Sequence, residues 1–372
     1  MALYLGLMSG TSLDGIDAVL VDFAASGSDG MAVRSHAHRD FDAELRRELL
    51  ALNAAGPNEI ERAALAANAV ARAYAESVAT VLTQAALPAA QVQAIGAHGQ
   101  TVRHRPGELD GTGYTCQLLN GALLAELSGV DVVCDLRSRD VAAGGHGAPL
   151  APGFHAAAFG AEGETRAVLN LGGIANLTLL EGHVGRIGFD CGPASCLLDA
   201  WCDRHCGLAF DNGGRWGASG RVDTVLLSSF LSEPYFALSP PKSTGRDLFH
   251  MAWLERHLEQ AAPHAAAVDV QATLAALTVQ TVAASVARHA AAARVLYVCG
   301  GGARNGALLE GLARALPGLR VTTTAALGVP VDQVEGAAFA WLAKRFVERK
   351  SGNLPAVTGA RGPRTLGALY PA

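Results

Sequence analysis

The sequence predicts an α/β fold laid down twice, as two domains of strands flanked by helices. Three observations carry that expectation. Short β-type runs alternate with Ala-rich stretches whose apolar residues recur at helical spacing. A strand, a Gly-rich turn and a second strand open each half, first around Gly10 and again around Gly172-Gly173. Their period of roughly 165 residues belongs to a duplicated domain and not to a solenoid. The 372 residues also suffice for about two domains of ~150 residues each.

Taken in order, Leu3–Leu7 and Ile16–Phe23 read as strands on either side of a turn within GLMSGTSLDGID, and a third is expected over Arg34–His38. Helix follows from about Asn58 to Ala86, then a short strand at Ala94–Gly96 runs into the polar loop AHGQTVRHRPG. Helix Gly121–Ser128, strand Val130–Cys134 and the loop DLRSRDVAAGGHGAPLAP complete the first half. The Gly/Pro-rich stretch around 144–165 is the expected linker between a first domain, 1–150, and a second, 151–372. A ligand cleft is expected between them, with a C-terminal tail that can pack back on the first domain. The second half restarts with strands Arg166–Leu171 and Asn176–Leu180, a helix from near Ser195, a long Ala/Thr/Val helix from Leu274 and strand Val295–Val298. Helix Asn305–Leu316, strand Leu319–Thr323 and helix Val334–Arg349 close it.

Composition narrows the function classes. Hydrophobic residues at 50% and charged ones at 17% supply large cores and argue against disorder. Every apolar run is broken by Gly, Asp, Arg or His before the ~20 residues of a membrane helix, and no basic region with a cleavage site opens the chain. A cytoplasmic protein with no membrane partner is expected. A formal charge of −5 without a basic run gives no support to nucleic-acid binding. Among seven cysteines, Cys191, Cys196, Cys202 and Cys206 cluster without a Cys-x-x-Cys pair, so buried free thiols are expected in place of zinc or disulfides.

Six motifs carry chemistry, and several have a plainer reading beside them. In GTSLDGID, successive backbone N–H groups of a Gly-rich turn make an anion cradle, Thr11 and Ser12 add donors, and Asp14 and Asp17 suit the water shell of Mg²⁺. The same letters also make a simple hairpin turn at Asp14-Gly15. It is no P-loop, since the first lysine is Lys242. NLGGIANLT repeats the design, and two such turns facing one cleft could hold a phosphate chain. CGGGARNG sets Gly300, Gly302 and Gly306 between strand and helix, one residue off the dinucleotide fingerprint, and serves either a nucleotide or tight packing. In GFDCGPAS, Asp190 ends an apolar strand, where it suits a general base in phosphoryl transfer or a helix cap. The loops HGQTVRHRP and DLRSRDVAAGGHGAPL offer His98, Gln100, His104, Arg137 and Asp140 to a sugar or carboxylate, Arg137 through a bidentate pair.

Together these pieces resemble the anhydro-N-acetylmuramic acid kinases of the sugar kinase/actin-like ATPase superfamily over nearly the whole chain. GLMSGTSLDGID, HGQTVRHRP, GGHGAPLAP, NLGGIANLT, FDCGPAS, PPKSTGRDLF, CGGGARNG, VEGAAFAWLA and RTLGALYP stand in the family's order. The resemblance implies two actin-like (ribonuclease H-like) domains with mixed five-stranded sheets, ATP and Mg²⁺ as cofactors, and a homodimer. It implies hydrolytic opening of 1,6-anhydro-N-acetylmuramic acid with phosphorylation of O6, in cell-wall recycling, Asp190 activating the water. ATP positions carry onto Gly10, Thr11, Ser12, Leu13, Asp14, Gly15, Ile16 and Asp17, with Gly172, Gly173, Asn176, Gly300, Gly301, Gly302 and Asn305. Sugar positions carry onto His98, Gln100, Arg137, Asp140 and Glu335, and Mg²⁺ rests mainly on the phosphates, with Asp14 as its one protein candidate. The chain departs from the family pattern at Cys191, Ala194, Ser195, His146, Leu136 and Leu119, which touch substrate fit more than reaction class. A sensor or regulator on the same fold, or a kinase of another amino sugar, is the alternative. An actin-like filament protein would have no need of the polar loops, and a nicotinamide enzyme fails on the glycine spacing.

Overall fold

The computed structural model describes residues 1–10, 13, 15–24, 30–245 and 247–372. The chain divides into two compact units, residues 1–154 with 333–372, and residues 155–332. In the first, β1 (Leu3–Met8), β2 (Gly15–Asp22) and β3 (Ala32–Asp40) form an antiparallel meander. β4 (Val92–Ala97) lies parallel to β1, β5 (Gln100–Pro106) and β6 (Gly113–Leu118) make a separate ribbon, and β7 (Val132–Cys134) runs parallel to β4. The second unit repeats the plan: β8 (Thr165–Leu171), β9 (Ile174–Glu181) and β10 (Val184–Pro193) form the meander, and β11 (Val295–Cys299) and β12 (Arg320–Thr323) add in parallel beside β8. The orders β7-β4-β1-β2-β3 and β12-β11-β8-β9-β10 are the same topology, so the restart seen in the sequence is a duplicated fold. The first sheet gains a sixth strand, β13 (Ala368–Tyr370), antiparallel on β7, where five were expected.

Strand β1 is central and buried on both faces, which is why LYLGLM is almost continuously apolar. Its glycine answers to a helix. Val334–Val347 packs on β1 and β4 within the first unit. A Cβ on Gly6 would lie 1.8 Å from the Gly336 carbonyl oxygen, and one on Gly96 1.9 Å from that of Phe339. Bare backbone on both strands lets the helix sit directly on the sheet, with Glu335 in its first turn. The expected division at residue 150 puts this helix in the second domain; it belongs instead to the first unit, with the whole of 333–372.

Two loops turn out ordered. HGQTVRHRP is β5, its Val102 buried with Leu118 of β6, and APGFHAAAF forms a helix, Ala151–Phe159, inside which the boundary between the units falls. The second unit is cored by Ala267–His289, long and apolar enough to cross a membrane, contrary to the expectation of interrupted apolar runs. More than half of its most apolar stretch is buried, with Leu274, Leu277 and Val282 in the core, so its apolarity has a packing reason. Cys191, Cys196 and Cys202 are buried thiols, and Cys206 is exposed.

Candidate active site

In the first unit the β1–β2 turn is held from below by the segment after β4. Ser9 is buried, its hydroxyl between the Tyr74 hydroxyl at 2.8 Å and the Gly99 carbonyl, to which it donates at 3.0 Å. His98 Nδ1 donates to the Ser9 carbonyl at 3.1 Å, and Gln100 Nε2 donates to the Gly10 carbonyl at 3.0 Å. His98 and Gln100, expected at the sugar, are thus almost wholly buried and buttress the turn. Leu13 and Ile16 are core residues. Gly15 is required by packing, since a Cβ there would stand 2.4 Å from the Arg39 carbonyl oxygen of β3. Asp17 faces β3, where its Oδ1 meets His38 Nδ1 at 2.9 Å and His36 Nε2 at 3.2 Å. Burial alone would raise its pKa, and the bonds from the two histidines outweigh this and lower it. Thr11, Ser12 and Asp14 lie outside the described residues.

Arg137 follows β7 and turns onto His98. Its Nη2 and Nε donate to His98 Nε2 at 2.9 and 3.1 Å, and Nη1 donates to the Gly147 carbonyl at 2.7 Å. This fixes the tautomer of His98, with the proton on Nδ1 and Nε2 accepting. Burial, then the charge of Arg137, push its pKa down to about 3, so the ring is neutral at any physiological pH. Burial lowers the Arg137 pKa to about 10 against the opposing charges of Glu335 and Asp140. Glu335 therefore lies close enough for its charge to act on the guanidinium.

Asp140 does not fit its expected place at the sugar. It is fully buried, its Oδ2 accepts the Gly147 N–H at 2.8 Å, and its Oδ1 accepts Asn353 Nδ2 at 2.7 Å and Thr358 Oγ1 at 2.8 Å. Both oxygens are spent on fastening the Gly-rich loop to the C-terminal segment, so it is a positioning residue.

In the second unit Asp190 lies on β10 opposite Asn176 of β9, just before a bulge that re-aims the strand at Gly192. Asn176 Nδ2 donates to Asp190 Oδ1 at 2.9 Å, the Thr244 N–H donates to Oδ2 at 3.0 Å, and the Tyr235 hydroxyl donates to the Asp190 carbonyl at 2.7 Å. The pKa of Asp190 is raised, because burial outweighs those bonds and the nearby Lys242 charge. Thr244 Oγ1 is buried with no hydrogen-bond partner among the described residues. Lys242 Nζ donates to the Tyr235 and Phe236 carbonyls at 3.2 and 3.4 Å, 4.7 Å from the Tyr235 ring centroid. Asn176, expected at ATP, is thus an orienter of Asp190. Tyr235, Lys242 and Thr244 were not singled out from the sequence, though PPKSTGRDLF, quoted for its order, contains two of them.

The Gly172-Gly173 turn spends its carbonyls on the helix Ser195–Cys206: Gly172 O accepts the Ser195 N–H at 3.0 Å, and Gly173 O accepts those of Ala194 and Cys196 at 3.0 and 3.1 Å. This caps that helix, the part considered for Asp190. After β11, Gly300 has φ +80° and a Cβ on it would lie 2.2 Å from Asn170 Oδ1. A Cβ on Gly302 would lie 2.7 Å from that of Leu171, whereas one on Gly301 would meet nothing within 4 Å. Asn305 caps the helix Gly306–Ala315, accepting the Leu308 N–H at 3.1 Å, and Gly214 is pressed against its side chain.

The chain matches the family model described as anhydro-N-acetylmuramic acid kinase over residues 2–372. A protein of that name from Cupriavidus pinatubonensis is 57% identical over 370 residues, 99% of this chain and 98% of that one. Another, from Variovorax paradoxus, is 56% identical and covers 100% of this chain and 99% of its own. Among solved structures, component A of the (R)-2-hydroxyglutaryl-CoA dehydratase of Acidaminococcus fermentans superposes with a TM-score of 0.50 at 13% identity, covering 91% of this chain and 96% of that one. That likeness speaks to the fold alone.

Proposed function

Since the chain belongs to the anhydro-N-acetylmuramic acid kinase family, we propose that it opens the 1,6-anhydro bridge of anhydro-N-acetylmuramic acid with water and phosphorylates the released O6, giving N-acetylmuramic acid 6-phosphate and ADP. The reaction serves peptidoglycan recycling. The observation that carries the mechanism is the setting of Asp190, a half-buried carboxylate with a raised pKa, held on both oxygens and beside a buried hydroxyl, that of Thr244, with no partner among the described residues. A base of raised pKa takes a proton from water more readily than an ordinary carboxylate. Asp190 takes the proton of the attacking water as its oxygen bonds to the anomeric carbon. The anomeric bond to O6 breaks, and O6 receives the γ-phosphoryl group. Asn176 and the Thr244 N–H hold the carboxylate in line, and the Thr244 hydroxyl is placed to hold the water.

The open space over Gly301 fits a nucleotide passing close to backbone, and Gly10 and Gly172-Gly173 are the proposed phosphate turns. ATP brings the phosphoryl group, and Mg²⁺, carried by its phosphates, offsets their charge. Arg137 and Glu335, on the His98 platform, are the proposed sugar-side groups. The cytoplasm, where ATP is supplied, is the proposed location and a homodimer the proposed assembly, checked by light scattering.

An ADP-release assay with the anhydro sugar, the hydrated sugar and glucose tests the reading. Turnover is expected only with the anhydro sugar, and Asp190→Asn should lose about 10³-fold or more. Near-normal turnover in Asp190→Asn would remove that residue from the mechanism. Release of ADP with glucose but not with the anhydro sugar would remove the substrate.

A further inference from the structure

The first unit contains a cavity of about 500 Å³ lined by Arg139, Phe346, Arg349, Arg364, Thr365 and Gly367, none of which belongs to the site above. The three arginines are dispersed in sequence, so no basic run announces them. Arg139 lies on the helix Ser138–Ala142, Arg349 lies just past the helix Val334–Val347, and Arg364 lies in the C-terminal segment.

Some arginines elsewhere are matched by carboxylates, as Arg62 is by Glu48 at 2.6 Å and Arg204 is by Glu255 at 2.6 Å, and others are not. Among the described residues, none of the cavity arginines forms an ion pair. Glu348, the acid beside Arg349, is taken by Lys344 at 2.6 Å and Lys350 at 3.0 Å. In a chain with a formal charge of −5, three arginines without an ion pair among the described residues therefore line one hollow, and Arg364 Nη1 donates to the Pro363 carbonyl at 2.8 Å.

Their placement is built. Arg349 occupies the left-handed position that ends a helix, φ +55°, where glycine is the usual residue and a side chain is disfavoured. The turn is closed by Lys350 N–H donating to the Arg345 carbonyl at 2.8 Å, and the Phe346 ring lies 5.4 Å from the Arg349 guanidinium. Arg364 is fixed through its main-chain N–H, which donates to Asn353 Oδ1 at 2.7 Å, and Asn353 is itself bonded to Asp140.

We propose that this cavity binds a phosphorylated small molecule, its dianionic phosphate group held by Arg139, Arg349 and Arg364 with the Thr365 hydroxyl as a further donor. Three cations exceed what one carboxylate would offset, and guanidinium forks match phosphate oxygens. The volume lies within the range of small-ligand pockets, ~300–1,000 Å³. The helix carrying Arg139 also carries Asp140 and follows Arg137 directly, so the ligand would sit beside the frame of the sugar-side residues.

Isothermal titration of inorganic phosphate into the full chain, at constant ionic strength with ADP present to fill the nucleotide site, tests this. Saturable binding is expected in the wild type. A loss of at least about tenfold is expected in both Arg349→Gly and Arg364→Gln, the effect of one charge-assisted hydrogen bond. Arg349→Gly relieves the left-handed strain, so it keeps the fold, and Arg204→Gln should bind phosphate as the wild type does. Phosphate affinity equal in wild type and both variants, or no saturable binding, overturns the site. Acetate binding as tightly as phosphate overturns the ligand class. Neither readout depends on turnover, so failure here leaves the kinase reading standing.

Discussion

Alanine at Gly301 and at Gly300 distinguishes a turn that faces a nucleotide from one that serves packing. At Gly300 the backbone has φ +80° and ψ 171°, a region kept almost to glycine, which costs a side chain ~1–3 kcal/mol. The new Cβ would also stand 2.2 Å from Asn170 Oδ1 and 2.8 Å from the Leu171 carbonyl oxygen. Overpacking of that kind adds ~1–3 kcal/mol. Gly300→Ala should therefore destabilise the second unit by about 4 kcal/mol, a fall of roughly 8–16 °C in Tm for a domain of this size. At Gly301 the same methyl meets no atom within 4 Å and needs no left-handed backbone, so stability should hold or rise slightly. Its effect should fall on the nucleotide. A methyl between backbone and phosphate forfeits one charge-assisted hydrogen bond at ~1.5–3 kcal/mol, or about 10–100-fold in KM for ATP. Thermal unfolding followed by a coupled ADP assay at varied ATP reads both quantities. A KM for ATP unchanged in Gly301→Ala, at normal Tm, would refute the reasoning and leave the three glycines as packing.

Three further outcomes follow from the site. Asn176→Ala removes the donor that opposes burial at Asp190, so the pKa rises further; the base works deprotonated, and the acid limb of kcat/KM should move up by about one pH unit, while an unmoved limb would deny Asn176 that role. Asp140→Ala takes the shared acceptor from three buried donors, two of which keep a longer bond to a carbonyl, and at ~1–2 kcal/mol each should lower Tm by roughly 6–24 °C, with KM for the sugar unchanged; a raised KM at normal Tm would return Asp140 to the substrate. Burial lowers the pKa of His98 and of His155 to about 3, so the unfolded chain binds protons there that the folded one does not. Stability should fall as pH drops below ~6.5, by up to ~1.4 kcal/mol per unit per histidine, and a Tm flat from pH 7 to 5 would contradict this.

What the sequence made legible was local. The strand–turn–strand restart and the Ala-rich helix now seen as Glu59–Ala85 each depend on neighbours a few residues away. What it hid depends on distant partners. Asp140 looked like a sugar ligand because Asn353 and Thr358, 213 and 218 residues on, leave no local mark. Thr244 reaches Asp190 across 54 residues, and the need for glycine at positions 6 and 96 lies in a helix that begins at Val334. The apolar residues of Ala267–His289 are likewise explained only by the fold, since they pack in the core of the second unit.

The two turns that opened the sequence question share a device that neither motif displays. In the first, the carbonyls of Ser9 and Gly10 are taken by His98 and Gln100 side chains; in the second, those of Gly172 and Gly173 are taken by the N–H groups that start the helix Ser195–Cys206. A trans peptide points its N–H opposite to its carbonyl. Engaging Ser9 O therefore directs the Gly10 N–H away from His98, and engaging Gly172 O directs the Gly173 N–H away from the helix. Each half turns its acceptors into the protein and its donors outward, an arrangement that favours an anion over a cation at both turns. The hairpin and the cradle are then one structure, and the side chains expected to bind sugar hold it in that pose. On this argument Gln100→Leu, which leaves the Gly10 carbonyl with the Leu13 N–H at 3.2 Å but without its side-chain donor, should raise KM for ATP more than KM for the sugar. The reverse order would return Gln100 to the sugar.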